Sequence, residues 1–540
     1  MKSNKKSDII PPLKNIFNNE EQYFFTDEEK ANCLNNFFVS VSNLNDDGVQ
    51  LPAFNRYTDT ILSDVSICQS EVTDMIKTLN TNKAVGEDSI SHKVIKSVST
   101  SISRPLCQLF NKSLSQGIFP SSWKSAMVMP LFKKGDSHSA SNYRPISLLS
   151  CLGKLMERVV YKYIYNHLMS NKLIFHSQSG FLKNHSTVYQ LIDIYHQITQ
   201  SIDSGTHTCI VFCDISKAFD RVWHKGLIFK LKQNGLDGNI LKWVENYLSD
   251  RKQKVIVGSS VSKSMPITAE VSQGCVLGPL LFLVYVNDIA DQLLSVTRLF
   301  ADDTSLASST SNISDLEGIM NHDLAIISNW SKQWLVDFNP NKTEAILFNT
   351  RNEVAPNLVF DNVPVKFVQN HKHLGLTFSA DGKWHEHIEN ISTSASKVLG
   401  IMRNLKYKLR RKTLNQLYIS FLRPLLEYAS VVWDNCTQYE KETLERIQHE
   451  AARIVTGTTR SISLVNLYKE IGWLSLSDRR KYQKLTYIYK IVHNLTPDYL
   501  SNLVPNTVGN VSDYNLRNNF DLVTVARRTE IFSNSFFPQR

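Results

Sequence analysis

Phe212-Cys213-Asp214-Ile215-Ser216-Lys217-Ala218-Phe219-Asp220 and, further along, Phe300-Ala301-Asp302-Asp303 decide how this chain is read. Cys209–Asp214 is rich in β-branched and aromatic residues, which predicts a short buried strand ending on an acid. Thr297–Phe300 and Thr304–Ala307 flank Ala301-Asp302-Asp303, which predicts a hairpin carrying acids at its tip. Phosphoryl transfer from a nucleotide needs carboxylates that converge on hard divalent cations. Asp214 and Asp302 meet that need if their strands are neighbours. Taken singly, neither signal is specific, because Asp is a favoured turn residue and a common entry to turns and helices.

Working outward, Ser272-Gln273-Gly274-Cys275 lies between the two acidic segments, and Gly274 would let the backbone come close to a base or sugar. Apolar residues at helical spacing predict one helix from Leu152 to Leu168, with Ser150 as its cap, and another from Thr187 to Ile202, closed by Gly205. Arg251–Val257 and Val261–Ile267 flank Gly258-Ser259-Ser260 as a second hairpin. A long amphipathic helix is expected after Ile313, to about Trp334, and beyond Ser392 the chain reads as helical and basic. The class is α+β with a helical C-terminal part.

A chain of 540 residues exceeds one hydrophobic core, and its 42% apolar, 10% aromatic and 20% charged residues are those of a folded protein. The net charge of +10 favours polyanionic partners without proving one. Eight dispersed cysteines, with no C-x-x-C pair, read as reduced, mostly buried thiols of an intracellular protein. The longest apolar run, Cys275–Val286, is interrupted by Gly278-Pro279 and is too short to span a bilayer, so no membrane partner is expected. The N-terminus runs from Met1-Lys2 into Asp8 with no apolar stretch and does not read as a secretory signal.

The ordered set of motifs resembles the palm of reverse transcriptases from non-LTR (LINE-type) retrotransposons, in the jockey- and CR1-like branch. Lys83–Asp88, Pro130-Leu131-Phe132-Lys133-Lys134-Gly135-Asp136, Asn142-Tyr143-Arg144-Pro145 and Gln178-Ser179-Gly180-Phe181 resemble the finger motifs. Asn339-Pro340-Asn341-Lys342-Thr343 and His373-Leu374-Gly375-Leu376 resemble later palm motifs, and Leu422-Arg423-Pro424-Leu425-Leu426-Glu427-Tyr428 and Ala451-Ala452-Arg453 the region after the polymerase. The resemblance spans about residues 75–500. It implies a right-hand polymerase with fingers, a palm with an antiparallel sheet, a helical thumb and a helical C-terminal extension.

The same resemblance implies Asp214 and Asp302 as ligands of two Mg²⁺ ions, with Asp303 a weaker or water-mediated contributor. Phe219 matches the side chain packed against the sugar of the incoming nucleotide, and Gln273 and Gly274 match residues that touch nucleotide and template. Arg144 and one of Lys133 or Lys134 match the cations that hold the triphosphate, and Lys342 the lysine that protonates pyrophosphate. The implied partners are an RNA template, a DNA primer and dNTPs, with action in the nucleus and no protein partner indicated.

Two features stand apart. His371, His373, His385 and His387 form an H-x-H…H-x-H pattern that could hold a metal, although a primer-grip hairpin already accounts for the segment. The run Lys406–Lys412 is either a solvated basic face or a grip on primer–template phosphates through Lys408, Arg410 and Arg411.

The expected organisation is a connector-like extension over 1–75, fingers and palm over 76–385, a basic thumb and helical extension over 386–500, and an unassigned tail over 501–540. Such elements resemble proteins with a DNA endonuclease ahead of the polymerase. The 75 leading residues are too few to hold one, so cutting is expected from elsewhere, in a truncated copy or an incomplete reading of the gene. The main expectation is RNA-directed DNA synthesis. Its alternative is an inactive or repurposed relic that binds nucleic acid; a group II intron maturase fits the downstream motif less well.

Overall fold

The computed structural model describes residues 10–17, 20–348, 354–459, 461–511, 521, 523 and 526–537. The N-terminal nine residues, and with them the reading of a missing secretory signal, lie outside the described residues, as does part of the tail after Leu500. The chain divides into two compact units whose segments interleave: residues 1–175, 215–291 and 327–338 form the first, and 176–214, 292–326 and 339–540 the second.

The first unit is built on a sheet in which Ser125–Phe132 pairs antiparallel with Tyr143–Leu148 and parallel with Arg251–Val257. The helix Cys151–Ser170 starts where expected, with the Ser150 hydroxyl accepting the Gly153 N–H. The second arm of the expected 251–267 hairpin is broken into Ser260–Val261 and Met265–Ile267. The cause is the helix Asp27–Val41, whose Asn35 amide donates to the Lys263 carbonyl while Asn32 accepts the Lys263 N–H. Side chains thus take the backbone groups that a continuous ladder would have used.

The second unit carries a five-stranded sheet in the order Lys366–Phe367, Glu344–Phe348, His207–Asp214, Asp303–Thr310, Val296–Phe300. All neighbours run antiparallel except the short edge pair of Glu344–Phe348 with Lys366–Phe367. His207–Asp214 lies in the middle, which is why its residues from His207 to Cys213 are all buried. The helix Thr187–Ser204 covers the sheet and ends on Gly205 in the left-handed region (φ 72°). One core joins Ile210, Phe212 and Ile346 of the sheet to Tyr195, to Trp384 and Trp433, and on to Leu500 and Phe537. The C-terminal helices, among them His385–Leu405, Gln438–Thr456 and Leu476–Val492, therefore share the interior of this sheet.

The α+β class and the helical C-terminal part agree with the sequence reading. All eight cysteines are free thiols, and Cys68 is the exposed one. Among the described residues no helix is long and apolar enough to cross a membrane.

Candidate active site

In the second unit, register brings the acids together. Asp303 is the cross-strand partner of Asp214 on one side and of Phe300 on the other, so the hairpin closes through a two-residue turn, Ala301-Asp302. The turn is tighter than the three residues expected, and Asp303 belongs to the strand. Ala301 stands in the left-handed region (φ 57°), a conformation that costs a side chain energy and must be held by its surroundings. Burial, and then the like charges of Asp302 and Asp214, push the Asp303 carboxyl up to about 6. Its side chain still reaches solvent, so the repulsion is the part that a bound cation would relieve.

Lys342 joins this cluster. Its Nζ lies 3.2 Å from Asp214 Oδ2. The turn Pro340–Lys342 is docked on the strand end by the Asn339 N–H, which donates to the Asp214 carbonyl at 2.9 Å. A cleft of about 380 Å³ opens here, lined by Asp214, Asp303, Lys342 and the hairpin tip from His371 to Gly375. The Tyr428 hydroxyl donates to the Leu374 carbonyl at 2.6 Å, and a Cβ on Gly375 (φ 88°) would stand 2.9 Å from the Tyr428 ring. The Leu-Leu-Glu-Tyr motif thus props the tip of the His-Leu-Gly-Leu hairpin.

The histidines have structural duties. His371 pairs with Glu344 at 2.8 Å and stacks on Phe212 with ring centroids 4.1 Å apart. His387 accepts the Thr377 N–H, and burial pulls the His373 imidazole down to about 3. His385 is exposed and faces Glu440. Among the described residues no group of three or more His, Cys, Asp or Glu is arranged to hold a metal. In the acidic cluster, register sets Asp214 beside Asp303, and the charges of Asp302 and Asp214 both raise the Asp303 carboxyl; carboxylates that crowd in this way are donors suited to a hard divalent cation.

In the first unit a second group of expected residues converges. The Ser147 N–H donates to the Gln273 carbonyl at 2.8 Å, and a Cβ on Gly274 (φ 120°) would stand 2.6 Å from the Ser147 carbonyl oxygen. The close approach that requires glycine is thus to the strand Tyr143–Leu148, which also carries Arg144. The Gln273 side-chain amide donates to Asp220 at 2.7 Å. Burial raises the Asp220 carboxyl, while Gln273, Lys217 and Arg144 oppose the rise. Phe219 is half-buried and stacks on Phe282, centroids 4.6 Å apart. Lys133 and Lys134 are exposed in the loop joining the strands Ser125–Phe132 and Tyr143–Leu148, where the Lys133 N–H donates to the Asn142 carbonyl at 2.8 Å, two residues before Arg144.

In the first unit sequence reasoning passed over the buried acids Glu157 and Glu270. Glu157 reads as the polar face of an amphipathic helix, yet it is buried and accepts the N–H groups of Val276 and Leu277, anchoring the start of the helix Gly278–Val286. Glu270 is buried with φ 109°, accepts the hydroxyls of Ser42 and Ser272, and is pushed up to about 7 by burial and then by Asp220. A carboxyl whose folded pKa is raised supports the fold below its unfolded value, near 4.5, and withdraws that support as pH rises through about 7. Glu270→Gln is therefore expected to melt higher than the wild type at pH 8, by roughly 2–4 kcal/mol of stability, with the gap closing below about pH 5. Thermal unfolding at the two pH values checks this; equal melting temperatures at pH 8 would refute it.

The sequence profile of the reverse transcriptase (RNA-dependent DNA polymerase) family matches residues 132–401, half of the chain. The chain belongs to the reverse transcriptase family. Its curated relatives include the probable RNA-directed DNA polymerase from transposon BS of Drosophila melanogaster, 27% identical over 83% of this chain and 51% of that protein. The RNA-directed DNA polymerase from mobile element jockey of the same species is 28% identical over 81% and 49%, and the probable RNA-directed DNA polymerase from transposon X-element, also of that species, 28% over 76% and 46%. The chain thus spans about half the length of these relatives. The expected likeness to jockey-type non-LTR elements is met. A solved structure of telomerase from Candida albicans in complex with a fragment of telomeric RNA is loosely similar, with a TM-score of 0.37, 12% identity and 67% of each chain covered. The reverse transcriptase match takes in both the acidic hairpin and the Gln273 segment, and stops inside the helix His385–Leu405.

Proposed function

We propose that this reverse transcriptase family member is an RNA-directed DNA polymerase that copies retrotransposon RNA into DNA. The observation that carries the reading is the pairing of Asp214 with Asp303, which sets Asp302 on a two-residue turn beside them. Asp214 and Asp302 would hold two Mg²⁺ ions, with Asp303 assisting; such ions activate a primer 3′-hydroxyl and neutralise charge on the triphosphate. Lys342 stands ready to give a proton to the departing pyrophosphate once the phosphates draw it from Asp214. Arg144, with Lys133 or Lys134, would hold the triphosphate, since a guanidinium offers paired donors to phosphate oxygens. Phe219 would pack against the sugar, and Gln273 and Gly274 against nucleotide and template. On this reading residues 76–385 are fingers and palm, residues 386–500 thumb and helical extension, and the work is done in the nucleus.

The test is primer extension by the purified chain on a primed homopolymer RNA with the complementary dNTP and Mg²⁺. DNA product is the expected result. Tight primer–template binding without extension would instead favour a nucleic-acid-binding relic.

The basic run needs a divided reading. Lys408 and Arg410 are exposed, whereas Arg411 is paired with Glu470, its Nη1 2.7 Å from the carboxylate. Each phosphate neutralised on a duplex adds roughly 0.9 to the log–log salt slope of binding. Replacing Lys408 and Arg410 together with Ala should flatten the slope by about 2, whereas Arg411→Ala should change it little. Binding titrations across ~50–200 mM salt measure this, and an unchanged slope in the double variant makes the run a solvated face.

A further inference from the structure

We propose that Gln178 is a positioning residue for Asp302, braced by Tyr499 of the C-terminal helical part; the inference rests on the polymerase reading of Asp302. Gln178 is 1% exposed, and its Oε1 accepts the N–H of Ala301 at 3.0 Å and of Gly180 at 2.7 Å. Two N–H donors on one atom fix that atom as the amide oxygen. Ala301 is the residue immediately before Asp302 and the one held at φ 57°. Its amide therefore has a partner only while Gln178 is in place, and the direction in which the turn presents Asp302 follows from that bond.

The segment around Gln178 is itself strapped to the hairpin. The Ser179 N–H donates to the Leu299 carbonyl at 2.9 Å, and the Leu299 N–H to the Ser177 carbonyl at 3.2 Å. Gly180 lies so close that a Cβ there would stand 2.3 Å from the Ala301 nitrogen. Behind the strap, the Ser179 hydroxyl meets the Tyr499 hydroxyl at 2.8 Å and His185 Nδ1 at 3.2 Å. Tyr499 is buried in the short helix Asp498–Ser501, with the Arg298 guanidinium 5.4 Å from its ring centre. A continuous path thus runs from the C-terminal helices through Tyr499, Ser179 and Gln178 to the acidic turn. Among the described residues the Gln178 Nε2 has no hydrogen-bond partner. A glutamate would remove that orphan and accept both N–H groups, but would bury a further negative charge beside Asp302 and Asp303. The amide supplies the acceptor without the charge.

The experiment compares wild type, Gln178→Ala, Tyr499→Phe and Asp302→Asn. Residues that orient metal ligands from behind typically change metal affinity or activity by ~10–100-fold when removed. Gln178→Ala should lower the extension rate by about 10–100-fold and raise the Mg²⁺ needed for half-maximal extension about tenfold, with primer–template affinity and dNTP KM within about threefold of wild type. Tyr499→Phe removes one oxygen from an otherwise intact fold and should shift Mg²⁺ dependence the same way by about 2–5-fold, a part of the full effect. Binding of Mn²⁺, followed by electron paramagnetic resonance, gives the same comparison without turnover. A chain that extends no primer but binds Mn²⁺ more weakly as Gln178→Ala or Tyr499→Phe thus fails the polymerase reading and keeps this one. Lowered melting temperatures with unchanged metal dependence in both variants would overturn it, as would unchanged Mn²⁺ binding in Tyr499→Phe if Gln178→Ala does not fold.

Discussion

Asp214→Asn and Asp302→Asn are each expected to lower primer extension at least ~1,000-fold, a loss of about 4 kcal/mol of transition-state stabilisation. Asparagine keeps the shape of each side chain and removes the charge that a divalent cation requires. Interactions that strengthen in the transition state govern turnover more than binding, so primer–template affinity should stay within a few-fold of wild type. The structure adds a second expectation that separates this from a folding defect. Asp214 and Asp302 both raise the Asp303 carboxyl by repulsion, so removing either charge relieves the cluster. The melting temperature should be unchanged or slightly higher in the variants, measured without metal. Near wild-type extension by either would remove the assignment, and a sharply lowered melting temperature would make the acids structural.

Phe219→Val is expected to admit ribonucleotides, raising the rNTP/dNTP incorporation ratio by about 5- to 150-fold. The figure follows from a steric cost of ~1–3 kcal/mol for forcing a 2′-hydroxyl against a packed ring. What makes the ring an effective barrier is its stack on Phe282, which holds one face still, while the ring is only half-buried. A purely packing role predicts another pattern: a loss of stability, smaller than the ~3–5 kcal/mol of a fully buried phenylalanine, with selectivity unchanged. Single-nucleotide incorporation of dCTP and rCTP opposite template G, beside thermal melts, separates the two. An unaltered ratio in a folded variant would show that Phe219 is not the gate.

The parts of this site that the sequence made legible are those written in local pattern. A β-branched and aromatic run ending on Asp214, and two short runs around Ala301-Asp302-Asp303, are strand signals that depend only on near neighbours. Their pairing register was not legible: the hairpin closes through Ala301-Asp302, and Asp303 pairs with Phe300 and Asp214 instead of standing in the turn. Glu157, Asp220 and Gln178 were opaque for the opposite reason. Each acts through hydrogen bonds to groups distant in sequence: Glu157 to Val276, Asp220 to Gln273, Gln178 to Ala301. Nothing in the residues flanking Glu157 distinguishes it from a solvated helix face. The broken arm at Ser262–Ser264 was misread likewise, because the asparagines that interrupt it stand on the helix Asp27–Val41.

The core that runs from Ile210 in the sheet to Phe537 has a bearing on how such chains change over time. The family profile ends at residue 401, partway along the helix His385–Leu405, whereas Tyr428 and Tyr499 beyond it hold the hairpin tip and the strap beside the acids. A chimaera that joined this sheet to a relative's C-terminal helices would have to refit a shared interior and two hydroxyl contacts at once. Sheet and tail therefore share one interior, and a substitution on one side of it constrains which side chains the other side can accept.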